Sequence, residues 1–188
     1  MSGGYYFDVL ELRDQQKGRK FFSEFYENQL TARVNTLREL CGRLPEENEA
    51  FFIETKKSFS AFAFCAYVIR EVGRIDRLYI ATYSTNERII NAILRWMQKG
   101  CIGTIHFHVS ETLQFRMPAL WRRLKQLEMD GKIKLTTAWS HKKVACMITP
   151  SGYFVVEGSG NYGENSLNEQ YVFLNSKKVC QFRMSDSK

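Results

Sequence analysis

Residues 140–173 read SHKKVACMITPSGYFVVEGSGNYGENSLNEQYVF. His141 and Lys143 are separated by one residue, so on a strand SHKKVACMI both side chains point to the same face. TPSG at 149–152 has turn composition, GYFVVEGS reads as a second strand and EQYVFLN as a third. Between the last two lies Gly158-Ser159-Gly160-Asn161. Two glycines around a serine let the backbone come close to a ligand, while Ser159 and Asn161 supply hydrogen-bond donors. An imidazole, an ammonium, a hydroxyl and an amide on adjacent strand ends can surround a phosphodiester. In that arrangement Lys143 and Asn161 hold the non-bridging oxygens and His141 is free to attack phosphorus. The plainer reading of the same residues is three strands joined by polar turns.

Working outward, residues from Arg19 to Leu44 show apolar positions at helical spacing, closed by Gly42 and Pro45. AFFIE at 50–54 is a short strand, and Ser58 or Ser60 starts a helix running to Glu71. IDRLYIATYS alternates as a strand. Ser84 followed by Glu87 fits a capping box for a helix whose apolar face carries Ile89, Ile90, Ile93, Trp96 and Met97 and which Gly100 stops. GTIHFHVS is the next strand, a helix from Met117 to Met129 ends at Gly131, and KIKLTTAWSHKKVACMIT supplies one or two strands more. Strands alternating with helices and then following one another predict an α/β fold, an α-β-α sandwich on a mixed sheet. The expected division is an N-terminal helical extension over 1–49 and one domain over 50–188, without internal repeats.

The sequence resembles the phospholipase D superfamily, whose signature is H-x-K-x(4)-D followed by G-S-x-N or G-S-x-x-N. His141-Lys142-Lys143, Gly158-Ser159-Gly160-Asn161, and then Ser166 with Asn168-Glu169 carry the resemblance, over roughly residues 50–175. With one copy of the motif, the chain is similar to the single-motif, dimeric bacterial endonucleases. The resemblance implies that His141 is the nucleophile forming a phosphohistidine, and that the same residue of a second subunit protonates the leaving oxygen. It implies that Lys143 and Asn161 bind phosphate, that Ser159 supports them, and that Glu169 orients a histidine. It implies no metal and no cofactor, in keeping with the lack of His, Asp or Glu at metal-ligand spacing. The chain departs from the signature at its acid: five residues after Lys143 stands Ile148.

Composition bounds the rest. In 188 residues, 44% hydrophobic and 14% aromatic content indicate a folded chain. The longest apolar-leaning run, Phe59 to Ile69, is far below the roughly 20 residues that span a bilayer, so no membrane partner is expected. The opening MSGGYYFDVLELRD has no signal-peptide pattern, and five scattered cysteines without a C-x-x-C pair suit a reducing, cytoplasmic protein, with Cys65 and Cys146 in the core. Net charge is +7, from 27 Lys and Arg against 20 acids, which favours a polyanion. The basic clusters Lys17-Arg19-Lys20, Arg122-Arg123-Lys125 and Lys142-Lys143 are phosphate-backbone contacts or solvated faces. Gly158, Gly160, Lys142, Arg122 and Ser84, the last at a strand–helix junction, are candidate substrate contacts. His106 and His108 read as strand histidines near a site rim, and Trp139 as core with base stacking as the alternative.

Three functions are therefore expected in order. The first is a metal-independent phosphodiesterase cleaving DNA or RNA as a homodimer. Next is a catalytically weakened nucleic-acid-binding module of the same fold, and last a phospholipid-directed phosphodiesterase.

Overall fold

The computed structural model describes residues 30–55, 59–163 and 168–185. The Lys17-Arg19-Lys20 cluster, the start of the first helix at Arg19, Ser58 and Ser166 lie outside the described residues. Along the chain run α1 (30–41), β1 (Ala50–Thr55), α2 (Phe62–Val72), β2 (Ile75–Thr82), α3 (Glu87–Gln98) and β3 (Ile102–Ser110). Then follow α4 (Leu113–Arg116), α5 (Pro118–Met129), β4 (Lys134–Ala138), β5 (Lys143–Thr149), β6 (Gly152–Gly158), β7 (Glu169–Asn175) and α6 (Lys177–Ser185).

The strands form one mixed sheet in the order β1-β7-β6-β5-β2-β3-β4. Strands β2, β3 and β4 are parallel, joined by helical crossovers, whereas β5, β6, β7 and β1 add as antiparallel neighbours. The central strand β5 carries an unbroken buried run from Val144 to Met147, as expected where both faces are covered. One face supports the larger core, where Leu78, Ile80, Ala145, Met147, Val156 and Phe173 meet α1, α2, α3 and α5. Helix α2 is apolar on all sides from Phe62 to Val68, and all seven of those residues are buried. Leu30, Val34 and Leu37 of α1 enter the same core.

The opposite face holds a smaller cluster, with Tyr79, Ala81, Val144, Cys146 and Val155 beneath Cys180 of α6. This helix completes the α-β-α layering and is absent from the expectations above. Helix α4 is likewise unexpected.

Local signals explain most boundaries. Gly100 and Gly131, at φ 74° and 66°, let α3 and α5 stop in a conformation that other residues resist. The hairpin between β5 and β6 turns at Pro150-Ser151, where the Thr149 hydroxyl donates to the Gly152 carbonyl at 3.0 Å. The cap of α3 differs from expectation. Asn86, in extended conformation, accepts from the Ile89 N–H at 3.1 Å, and the Ser84 hydroxyl points instead to the Met117 sulfur at 3.9 Å. Asparagine two residues closer to the helix outcompetes the serine because it alone sits at the first non-helical position.

Candidate active site

The pairing registers gather one end of the sheet. Thr82, at the C-terminus of β2, pairs with Lys143 at the start of β5; Val144 pairs with Glu157, which sets Gly158 beside Lys143. Gly158 pairs with Tyr171, and Glu169 at the start of β7 pairs with Thr55 of β1. The loop after Asn161 docks here too, through a bridge between Tyr162 and Thr85. Thus the carboxyl ends of β1, β2 and β6 and the amino ends of β5 and β7 converge, the edge at which open α/β sheets commonly bind ligands.

His141 lies outside β5, in the four-residue connection after β4, so the expectation that strand pleating places it beside Lys143 is corrected. The two meet by another route. Lys143 Nζ lies 3.0 Å from His141 Nδ1 and donates to the His141 carbonyl at 3.2 Å. The Ser140 hydroxyl accepts from the Lys142 N–H at 3.2 Å and tightens the connection. The imidazole packs on Tyr83 with ring centroids 4.4 Å apart. Arg116 lies over the other ring at 3.9 Å and donates to the Tyr83 carbonyl at 2.7 Å. Tyr83 stands at the strand–helix junction already singled out. No spacing rule links residue 116 to it, so Arg116 is a contact that only folding reveals.

Burial lowers the pKa of the Lys143 ammonium below its usual value, and the attraction of Glu169 opposes this. The Ser159 hydroxyl donates to the Glu169 carboxylate and accepts from the Gln170 N–H at 3.1 Å. Glu169 is therefore engaged by Ser159 and lies near the lysine charge. Gly158 also has a steric role that the sequence does not show. A Cβ there would sit 2.1 Å from the Gln170 carbonyl oxygen, so its bare backbone lets β7 pair closely. Gly160 is buried and Asn161 half-buried in the following loop.

An open cavity of about 700 Å³ borders this end of the sheet. His141, Lys142, Lys143 and Gly158 line it, and Arg183 and Phe52 stand along it. Arg183 holds Glu157 at 2.6 Å. Arg122 is exposed on α5, which contributes nothing to the cavity lining, and Ser84 lies outside the lining as well. Trp139 is 83% exposed, against the expectation of a core residue; it follows β4 by one position, where the strand has already left the core. Ile148 lies at the far end of β5, five residues or roughly 17 Å from Lys143 at strand rise, so the missing acid does not touch the His141 site. His106 and His108 both contact the Thr136 hydroxyl, at 2.8 and 3.0 Å. Among the described residues no group of three or more His, Cys, Asp or Glu side chains is arranged to hold a metal ion. No described helix is long and apolar enough to cross a membrane.

No family model matches the sequence, nor does any curated protein. Among solved structures, polyphosphate kinase from Porphyromonas gingivalis is similar over 72% of this chain and 25% of the kinase, at 14% identity and a TM-score of 0.51. Phosphatidylserine synthase from Haemophilus influenzae Rd KW20 is similar over 77% of this chain and 38% of the synthase, at 11% identity and a TM-score of 0.49. TrmBL2, an archaeal chromatin protein, is similar over 95% of this chain and 66% of that protein, at 14% identity and a TM-score of 0.46. The chain thus spans about a quarter of the length of the kinase it matches. At such identity the likeness to the kinase speaks to the fold alone, and the fold is a phospholipase D-like α-β-α sandwich on a mixed sheet.

Proposed function

We propose that the chain is a phosphoryl-transfer enzyme, a metal-independent phosphodiesterase of nucleic acid that works as a cytoplasmic homodimer. The observation that carries the reading is the 3.0 Å contact between His141 Nδ1 and Lys143 Nζ at the mouth of an open cavity. In the resting arrangement the ammonium occupies the Nδ1 side of the ring, which leaves the proton of a neutral imidazole on Nε2. An incoming phosphate draws Lys143 onto a non-bridging oxygen. The ring proton can then shift to Nδ1, and the Nε2 lone pair attacks phosphorus. The P–O bond to the leaving group breaks as the partner subunit's His141 protonates that oxygen. Water then cleaves the P–N bond and restores the imidazole. Asn161 and Lys143 hold the phosphate, Ser159 keeps Glu169 in place, and Tyr83 fixes the ring plane.

Nucleic acid is favoured by the net charge of +7 and by Lys142 in the cavity wall. The exposed indole of Trp139, two residues before His141, offers a stacking face to an unpaired base, which favours single strands.

The test incubates plasmid and single-stranded DNA with the protein in excess EDTA, beside His141→Ala. Cleavage that resists EDTA and disappears in His141→Ala is expected. Trp139→Ala should weaken single-strand binding more than duplex binding without altering stability. Sedimentation should give a dimer.

A second reading, a binding module with weakened chemistry, is favoured by one feature: Ile148 stands where the signature carries its acid. Binding without cleavage that falls steeply with salt would select it. Cleavage of phosphatidylcholine alone would select a phospholipid-directed enzyme.

A further inference from the structure

The departure of the chain from its motif lies in a second cavity. Ile148 pairs directly with Arg77 across the antiparallel β2–β5 ladder, where opposed Cβ atoms lie about 5 Å apart. A carboxylate at 148 would meet that guanidinium. On the same sheet face, His106 pairs with Tyr79 on one side and Lys134 on the other. Arg77, His106, Lys134, Ile148, Tyr153 and Gln181 line a cavity of about 510 Å³. Among the described residues no carboxylate pairs with Arg77 or Lys134, and Glu157 on this face is taken by Arg183. The cations act on their surroundings. Burial first, then Lys134, His108 and Arg77, push the pKa of His106 down to about 4. Its ring therefore stays neutral near pH 7, with Nε2 at 2.8 Å from the Thr136 hydroxyl.

We infer that this cavity is a second anion site, taking a phosphate-type group between Arg77 and Lys134 at the end of β5 remote from His141. Position 148, opposite Arg77, carries isoleucine, so the place a carboxylate there would fill beside the guanidinium is open to an anion from outside. Arg77 offers a planar fork suited to two oxygens of a phosphate and Lys134 a point charge, a combination that recognises the group more than what carries it. The site does not depend on His141 being catalytic.

Three histidines make the test direct, since each ring can be followed by NMR. Inorganic phosphate should raise the pKa of His106 by about one unit, a tenfold change in proton affinity. Arg77→Gln and Lys134→Gln should each remove most of that rise. Ile148→Asp, supplying the charge from within, should raise the His106 pKa without phosphate and abolish the response to it. Should that variant fail to fold, the two exposed-residue variants still decide. An equal rise with sodium chloride at matched ionic strength, or a response confined to His141, overturns the inference. A short oligodeoxynucleotide separates the sources. If Arg77→Gln weakens its binding, the anion is a backbone phosphate; if Arg77→Gln blocks only the inorganic phosphate response, the site serves a free phosphate.

Discussion

Gly158→Ala places one methyl group where the sheet has no room for it. The added Cβ would stand 2.1 Å from the Gln170 carbonyl oxygen, 2.8 Å from Tyr171 Cδ1 and 3.0 Å from Tyr171 Cα, against an ordinary contact of 3.4 Å or more. Two of those atoms are backbone, so no rotamer change relieves the clash; β6 and β7 must part by more than an ångström. The hydrogen bond from the Ser159 N–H to the Gln170 carbonyl, now 3.0 Å, is then lost along with its neighbours. Overpacking of this kind and one broken ladder bond cost about 2–4 kcal/mol, a large share of the roughly 5–15 kcal/mol that holds a domain folded. With a urea slope of about 2 kcal/mol/M, the unfolding midpoint should drop by about 1–2 M. Gly163→Ala is the control: its nearest atom lies at 3.8 Å, and it should stay within about 0.5 kcal/mol of the parent. Because Ser159 follows directly, the variant should also release Glu169 and lose any cleavage activity. A Gly158→Ala protein as stable as Gly163→Ala would refute the reasoning that backbone proximity selects this glycine.

Acid should destabilise the protein through His106. With a folded pKa of about 4 against roughly 6.5 unfolded, only the unfolded chain takes up the proton between those values, so stability falls as pH drops through that window and the loss is complete below it. After allowance for solvent at this half-buried ring, the loss is about 1–2 kcal/mol, and urea melts at pH 7 and 4.5 should show it shrink in His106→Gln. Glu49, held down to about 2 chiefly by its hydrogen bond from Arg43, loses its contribution only as pH falls further, so the two effects separate. Asn86→Ala should cost about 1 kcal/mol through the lost cap of α3, while Ser84→Ala should leave stability nearly unchanged, both read by urea melts.

The strands were legible because their apolar runs are bounded by Gly, Pro and polar turns, and the strand–helix alternation carried the topology. The His141–Lys143 pairing was legible for the wrong reason. An H-x-K spacing suggests pleating, yet the contact comes from Lys143 folding back onto a loop residue. Trp139 was misread because an aromatic beside LTTA resembles strand core, and only the register shows that β4 has ended. Helix α6 is not legible in the sequence because KKVCQFRMS has a single fully buried residue, Cys180, and a weak apolar stripe. The Arg116–Tyr83–His141 stack joins residues 33 and 58 positions apart, and no local pattern encodes it. For Gly158 the structure adds a cause that no turn pattern encodes: its missing side chain makes room for Gln170.

The pairing of β1 with β7 sets a condition on how the protein is made. Phe51, Phe52 and Ile53 emerge from the ribosome more than a hundred residues before Val172 and Tyr171, the strand segment they bond to. Until synthesis reaches Asn175, that early strand is an unpaired apolar ribbon, open to capture by chaperones or by other nascent chains, and the edge carrying Glu169 has not yet been built. Maturation should therefore be late and abrupt, with no functional half-protein along the way.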